Sequence, residues 1–474
     1  MARYFKFRSL AELEAEAKNL ALDLRFTDDL SPLFRPVAVG PLKAGNSMCI
    51  QPMEGCDATL DGHPDELTYR RYQRFGAGGA KLIWGEATAV LDEGRANARQ
   101  LLINDRTAPD LEKMLNGCRQ AHREALGANA DGDLLVGLQL THSGRYSFRK
   151  PLIAFHDPIL DPRITDKSTG KTLDASYPLL SDDYLKRLVD HYVAAAKLAH
   201  KIGFSFVDVK QCHRYLLSEL LASKTRPGPY GGSLENRTRL ARDIITAIRA
   251  EVPGVVVGTR LNAFDCIPYR NPDVAGGAGE PCAWQPPVES AWGTRTDDPF
   301  SPDLTEPKWW IGEMAKLGVS LVNISMGNPY AVMHVIRPFE YPPPDAYETP
   351  EHPLIGVNRH FDVAGQLQQA FPQLPIVGSG YSYLQEYIFN AGAANLRDGR
   401  VTFVGVGRAA FSMPDFALQL RDHGKLDRKR VCRTFSYCTA LMRAKHNELG
   451  QFATGCPPFD KEVYMPIWEQ AKKK

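Results

Sequence analysis

The chain has 474 residues, with 57 Lys and Arg against 55 Asp and Glu, a formal net charge of +2; 43% of residues are hydrophobic and 24% charged. These proportions suit a globular protein with a sizeable core, and the charge balance argues against nucleic-acid or anionic-membrane partners held by bulk charge. No run of eighteen apolar residues is present, so no transmembrane helix is expected.

The first stretch, "MARYFKFRSLAELEAEAKNL", turns acidic and amphipathic at once and lacks a signal-peptide hydrophobic core. A cytoplasmic protein with nine reduced cysteines is therefore expected. Ser9 and Glu12 read as a capping box before a helix carrying Leu10, Leu13, Leu20 and Leu24, an N-terminal helical extension over residues 1–30 that lies outside the main fold.

Eight short apolar runs then alternate with helical patterns: 47–53, 81–90, 134–142, 204–210, 255–261, 319–326, 374–380 and 401–407. The clearest helix spans 181–203, with Leu185, Leu188, Tyr192, Ala196 and Ala199 as its buried stripe and Gly203 just past its end. A second runs from about Leu234 to Val252 and stops at Pro253-Gly254. Continuous apolar strands alternating with helices specify a parallel sheet covered on both faces, and eight units match a closed (β/α)8 TIM barrel over 31–425. Two long loops, 265–306 and 327–358, follow the fifth and sixth strands and read as a lid over the barrel mouth, and residues 426–474 form a C-terminal extension.

In a barrel the chemistry sits at the C-terminal ends of the strands. There the sequence places Met53-Glu54, Glu86-Ala87, Gln139, Lys210 with His213 and Tyr215, Arg260, and the glycine turns "VGSGY" (Gly378, Ser379, Gly380) and "VGVGR" (Gly407, Arg408). Glycine-rich turns after strands seven and eight suit a phosphate, and Arg408 adds charge; two tight turns without a ligand are the plainer alternative. Gln139 and Arg260 suit a planar heterocycle with carbonyl and amide edges. His142 reads as a structural histidine, and Lys210 as a functional cation or as the ion-pair partner of Glu54 or Glu86.

The motifs "YGGSLENRTR" (230–239), "GLQLTHSGR" (137–145), "GEATAV" (85–90), "GTRL" (258–261) and "VGVGR" (404–408) fall between the right strands in the right order. On these residues the chain resembles the old yellow enzyme, or NADH:flavin oxidoreductase, family, and is distantly similar to the barrel domain of trimethylamine dehydrogenase. The resemblance implies FMN at the mouth of an eight-stranded barrel, with NADH or NADPH as reductant. It implies flavin contacts from Pro52, Met53, Glu54 and Ala87, a pyrimidine contact from Gln139, Arg260 beside the reduced ring, and a phosphate cradle from Gly378, Ser379, Gly380, Gly407 and Arg408. His213 would bind an electron-poor, enone-like or alkene-like small molecule together with Lys210, and Tyr215 would supply the proton.

Three departures stand out. Lys210 replaces the family's first His, Arg214 replaces a Gly, and Glu54 stands where Thr or Cys is usual. Larger relatives carry four cluster-binding cysteines; here Cys432, Cys438 and Cys456 remain, with Phe435 at the middle position. No iron–sulfur cluster is expected from three, although a three-cysteine or zinc site stays open. Rival readings are a flavin-dependent amine dehydrogenase or demethylase, with Trp284, Trp292 and Tyr269 as an aromatic bowl, and a barrel that binds flavin or another phosphate ligand without turnover. Oligomeric state stays open, family members ranging from monomers to larger assemblies.

Overall fold

The computed structural model describes residues 4–273 and 277–473. Its centre is a closed barrel of eight parallel strands. In chain order these are β1 (Met48–Ile50), β2 (Leu82–Ala89), β3 (Leu135–Thr141), β4 (Phe206–Val209), β5 (Val256–Phe264), β6 (Val319–Met326), β7 (Ile376–Gly378) and β8 (Phe403–Val406). The barrel closes where Val404 of β8 pairs with Met48 of β1. A helix follows each strand: α1 (Glu66–Ala77), α2 (Ala108–Leu126), α3 (Asp182–Lys201), α4 (Leu234–Glu251), α5 (Thr305–Lys316), α6 (Pro353–Ala370), α7 (Ile388–Arg397) and α8 (Phe416–His423). All eight expected strands are present. Most are shorter than the apolar run that announced them, because the run continues into buried turns.

The strands are buried on both faces, as a barrel demands. Cys49, Leu82, Trp84, Leu135, Phe206, Val256, Leu321, Val377 and Phe403 fill the interior. A short hairpin, Val37–Val39 paired with Leu42–Ala44, adds Val39 and Ala44 to this cluster and plugs the end of the barrel remote from the mouth. Gly137 makes the layer possible: a Cβ there would lie 2.1 Å from the Phe206 ring.

The α3 stripe expected from sequence is buried as written, and Gly203 has the left-handed φ of +99° that ends such helices. The stretch at 230–239 is a glycine turn followed by a capped helix start. Gly232 has φ +78°, and the Ser233 hydroxyl accepts from the Asn236 N–H at 3.3 Å.

The N-terminal helix (Leu10–Asn19) is not detached. Phe5, Leu13, Ala17 and Leu24 join the outer core, and the Phe5 N–H donates to Glu340 at 3.0 Å. The C-terminal segment also returns to the barrel, where Asp460 accepts from Arg70 of α1 at 2.7 Å and the Thr454 N–H donates to the Gly55 carbonyl at 2.7 Å. Among the described residues no helix is long and apolar enough to cross a membrane.

Candidate functional site

A cavity of about 540 Å³ opens at the C-terminal ends of the strands. It is walled by strand ends, by both long loops (Tyr269 and Arg270; Tyr330 and Arg337) and by the C-terminal segment (Cys438 to Thr454). Of the residues expected from sequence, Pro52, Met53, Glu54, Ala87, Gln139, Lys210, His213, Tyr215, Arg260, Ser379, Gly380, Gly407 and Arg408 all line it. Gly378 does not. It ends β7, its carbonyl accepts from Gln51 at 3.2 Å, and a Cβ there would strike Val401, so its role is to pack the barrel wall.

The floor is organised by Asp208, a fully buried carboxylate in mid-β4 that no functional reading had singled out. Its oxygens accept from the Gln139 amide at 2.6 Å, the Trp84 indole at 2.7 Å and the Arg260 backbone N–H at 2.8 Å. Fixing the Gln139 amide in this way leaves its carbonyl oxygen for the cavity side. Burial outweighs these donors and raises the Asp208 carboxyl to about 6. The folded protein thus holds a proton on Asp208 between about pH 4 and 6 that the unfolded chain has released. The group favours folding below this window, and the contribution is lost as pH rises through about 6. Two pKa units correspond to about 3 kcal/mol. Asp208→Asn is therefore expected to flatten the fall in stability between pH 4 and 6, checked by denaturant midpoints of both proteins across that range.

Arg260 crosses the floor, donating Nη1 to the Pro52 carbonyl at 3.4 Å, while its buried Nε has no partner among the described residues. Gln51, missed by sequence reasoning, links the strand ends. It accepts from Asn323 at 2.7 Å and donates to the Ser379 hydroxyl at 3.0 Å. A polar residue closing the apolar run of β1 was its available signal.

One end of the cavity is cationic. Arg408 donates Nη2 to the Pro338 carbonyl at 2.6 Å and leaves Nη1 buried and unpartnered. Arg337, from the loop after β6, donates Nη1 to Thr439 at 2.8 Å and leaves Nε and Nη2 unpartnered. Burial, together with the like charges of Arg408 and Arg443, brings Arg337 down to about 9. Gly380, at φ +89°, makes the adjoining turn, where a Cβ would sit 2.6 Å from the His360 ring. Unsatisfied guanidinium donors crowded by like charge are suited to an anion. Nothing in the local sequence "HVIRPF" marked Arg337.

At the other end stand Lys210, His213 and Tyr215. The chain leaves β4 through two consecutive left-handed residues, His213 (φ +66°) and Arg214 (φ +61°). His213 presents Nε2 to the Ser325 hydroxyl at 3.0 Å; burial first, then the charges of Arg260 and Lys210, push it well below the ordinary range, so the imidazole is neutral. Tyr215 carries the Lys210 ammonium 3.7 Å above its ring centre. Its hydroxyl lies 3.0 Å from that of Tyr330 and 3.5 Å from the Glu54 carboxylate. Tyr330 is 43% exposed as a residue, its ring stacks on that of Tyr146 at 4.2 Å, and its hydroxyl turns inward to Tyr215.

Neither proposed ion pair of Lys210 forms. Glu54 instead accepts from Gln100 at 3.0 Å and Asn97 at 3.2 Å, while Glu86 is engaged by Arg71 and by the Gly55 N–H at 2.8 Å. Burial raises Glu54, opposed by Lys210. Arg214 is also accounted for: its guanidinium binds Asp157 at 2.5 Å, Asp265 at 3.0 Å and the Ser290 carbonyl at 2.7 Å, tying the loop after β5 to the site. His142 is structural, with Nε2 at 2.9 Å from the Tyr184 hydroxyl and Nδ1 accepting from the Gly144 N–H.

The aromatic bowl is not assembled from the expected rings. Trp292 is fully buried with its indole on the Asn262 carbonyl at 2.8 Å, Trp284 packs away from the cavity, and only Tyr269 lines it. Cys432, Cys438 and Cys456 lie near one another, yet no group of three metal-ligating side chains is arranged to hold an ion among the described residues.

Residues 32–272 match the model of the NADH:flavin oxidoreductase / NADH oxidase family. The chain belongs to that family. An NADPH dehydrogenase of Listeria monocytogenes serotype 4b is 29% identical over 242 residues, covering 50% of this chain and 65% of the relative. The alignment thus spans just under two thirds of that relative's length. A 2-naphthoyl-CoA reductase structure superposes with a TM-score of 0.65 at 16% identity, over 94% of this chain and 58% of that one. An old yellow enzyme homologue from Zymomonas mobilis superposes at 0.57 and 22% identity, over 85% and 96%. At such identities these likenesses speak for the fold, and the closed barrel agrees with them.

Proposed function

We propose that the protein is an FMN-dependent oxidoreductase, reduced by NADH or NADPH, that saturates the double bond of an electron-poor small molecule. One observation carries the reading: a single cavity holds unsatisfied arginine donors at one end and Lys210, His213 and Tyr215 at the other, with Gln139 and Arg260 between. Its 540 Å³ falls within the usual range for cofactor sites.

The residues present fit FMN. Arg337 and Arg408 would take the phosphate, the Gly380 turn would let the backbone approach it, and Gln139 and Arg260 would meet the edge of the ring. When bound, FMN supplies the hydride carrier. The protein's own groups do the rest. Neutral His213 donates to the acceptor group of the substrate, and Lys210 adds positive charge there. Tyr215, whose hydroxyl is kept protonated by burial and by neighbouring Glu54, gives its proton to carbon and is resupplied through Tyr330. The ammonium of Lys210 rests on the Tyr215 face that an amine cation would need, which weighs against the amine-oxidising alternative.

Arg408→Met removes one charge-assisted donor, at about 1.5–3 kcal/mol. FMN affinity is expected to fall by about 10- to 150-fold, read by flavin fluorescence on titration into protein stripped of cofactor. Unchanged affinity would move the anion site elsewhere. The activity itself is tested by NADH and NADPH oxidation with alkene and nitro acceptors against an amine donor.

A further inference from the structure

Among the described residues two carboxylic acids line the cavity, Glu54 and Asp345, and Asp345 is paired with Arg443 at 2.8 Å. Glu54 has neutral hydrogen-bond partners: the Asn97 amide at 3.2 Å on one oxygen, and the Gln100 amide at 3.0 Å and the Tyr215 hydroxyl at 3.5 Å on the other. The charged and titratable groups facing it come from several elements. Lys210, at the end of β4, has its ammonium 3.7 Å above the Tyr215 ring and acts on Glu54 from there. Tyr215, Tyr330 after β6, and Cys56 on the same loop as Glu54 are all pushed up by burial first and by Glu54 second, and stay protonated. Lys445, from the C-terminal segment, acts on Cys56. Burial raises Glu54 itself above its ordinary value, opposed by Lys210 and by the Tyr215 hydrogen bond.

We infer that Glu54 gates the proton step: Tyr215 gives its proton to carbon while Glu54 is a neutral acid, and withholds it when Glu54 is ionised. This rests on the proposed reductase reading and deepens it. When Tyr215 donates, its O–H bond breaks and a C–H bond forms on the carbon that carries the electron pair left by hydride addition. The phenol oxygen is left as an anion. An ionised Glu54, 3.5 Å away, would set a second anion beside it, and like charges this close oppose each other strongly in a buried site. The single ammonium of Lys210 balances one of these anions and not both. A neutral Glu54 removes the conflict, and its O–H is free to donate to the new phenolate. Glu54 acts through Tyr215, so it is a positioning residue.

The readout is the rate at which the FMN-loaded protein, reduced beforehand with dithionite, is reoxidised by 2-cyclohexenone under anaerobic conditions, followed by stopped-flow absorbance between about pH 5 and 9. The rate is expected to fall at least about tenfold as pH rises, because Glu54 keeps its proton at the low end and loses it toward the high end. Glu54→Gln is neutral at every pH and is expected to lose the fall. Tyr215→Phe, slower throughout, has no phenol to gate and is expected to lose it too. Any share of the fall that belongs to Lys210 or Asp208 would remain in Glu54→Gln and is thereby separated. A rate independent of pH in the unmodified protein would overturn the inference, and so would a fall of unchanged size in a flavin-loaded Glu54→Gln protein. Should Glu54→Gln fail to load flavin, Tyr215→Phe decides, since a fall of unchanged size there is equally contradictory. Failure of the reductase reading would appear separately, as absence of reoxidation by the enone at any pH.

Discussion

Tyr215→Phe is expected to cut alkene saturation by about 10²- to 10⁴-fold, the usual worth of a positioned general acid, with FMN still bound. The hydroxyl is the group at issue, since the ring remains to carry Lys210 at 3.7 Å. Tyr330 at 3.0 Å and Glu54 at 3.5 Å hold the phenol in place without taking over its position. Flavin reduction by NADH or NADPH does not need this proton, so its rate should be unchanged, while reoxidation by the unsaturated acceptor becomes limiting. Stopped-flow absorbance on the two half-reactions checks this. Equal slowing of both would mean that Tyr215 shapes the site instead of supplying the proton.

Arg214→Gly puts glycine at a left-handed position, yet it is expected to destabilise the protein. Relief of a non-glycine φ of +61° is worth about 1–2 kcal/mol. Against it, Asp157 and Asp265 lose the guanidinium that binds them both, and breaking a buried pair costs about 3–5 kcal/mol. The net loss is about 1–4 kcal/mol. It should appear as a lower denaturant midpoint and as faster proteolysis in the loop after β5, which Arg214 anchors through the Ser290 carbonyl. A more stable Arg214→Gly protein would contradict this assignment.

The barrel was legible because its determinants are periodic. Eight apolar runs at helix-length spacing carry the topology, and the α3 stripe was read residue by residue. The floor of the cavity was legible for a related reason, since polar residues such as Gln139, Lys210 and Arg260 interrupt or end apolar strands. Asp208 carried the same signal inside "FVDV" and was passed over, although it positions Gln139. The upper walls were not legible. Arg337, Tyr330 and the segment from Cys438 to Thr454 arrive on loops and on a C-terminal return, where no period ties a residue to a place. Lys210 was open to an ion pair because sequence cannot show that Gln100 and Asn97 claim Glu54 and that Arg71 claims Glu86.

The proposed function requires that one cavity binds FMN and passes reducing equivalents from a nicotinamide to an unsaturated acceptor. It is tested most directly by the visible spectrum of the purified protein under anaerobic conditions, through successive additions of NADPH or NADH and then an electron-poor unsaturated acceptor such as an enone. The predicted result is one bound FMN per chain, bleached by the nicotinamide and restored by the acceptor. A protein that takes up no FMN, or whose flavin ignores both nicotinamides and bleaches with an amine, is not this oxidoreductase.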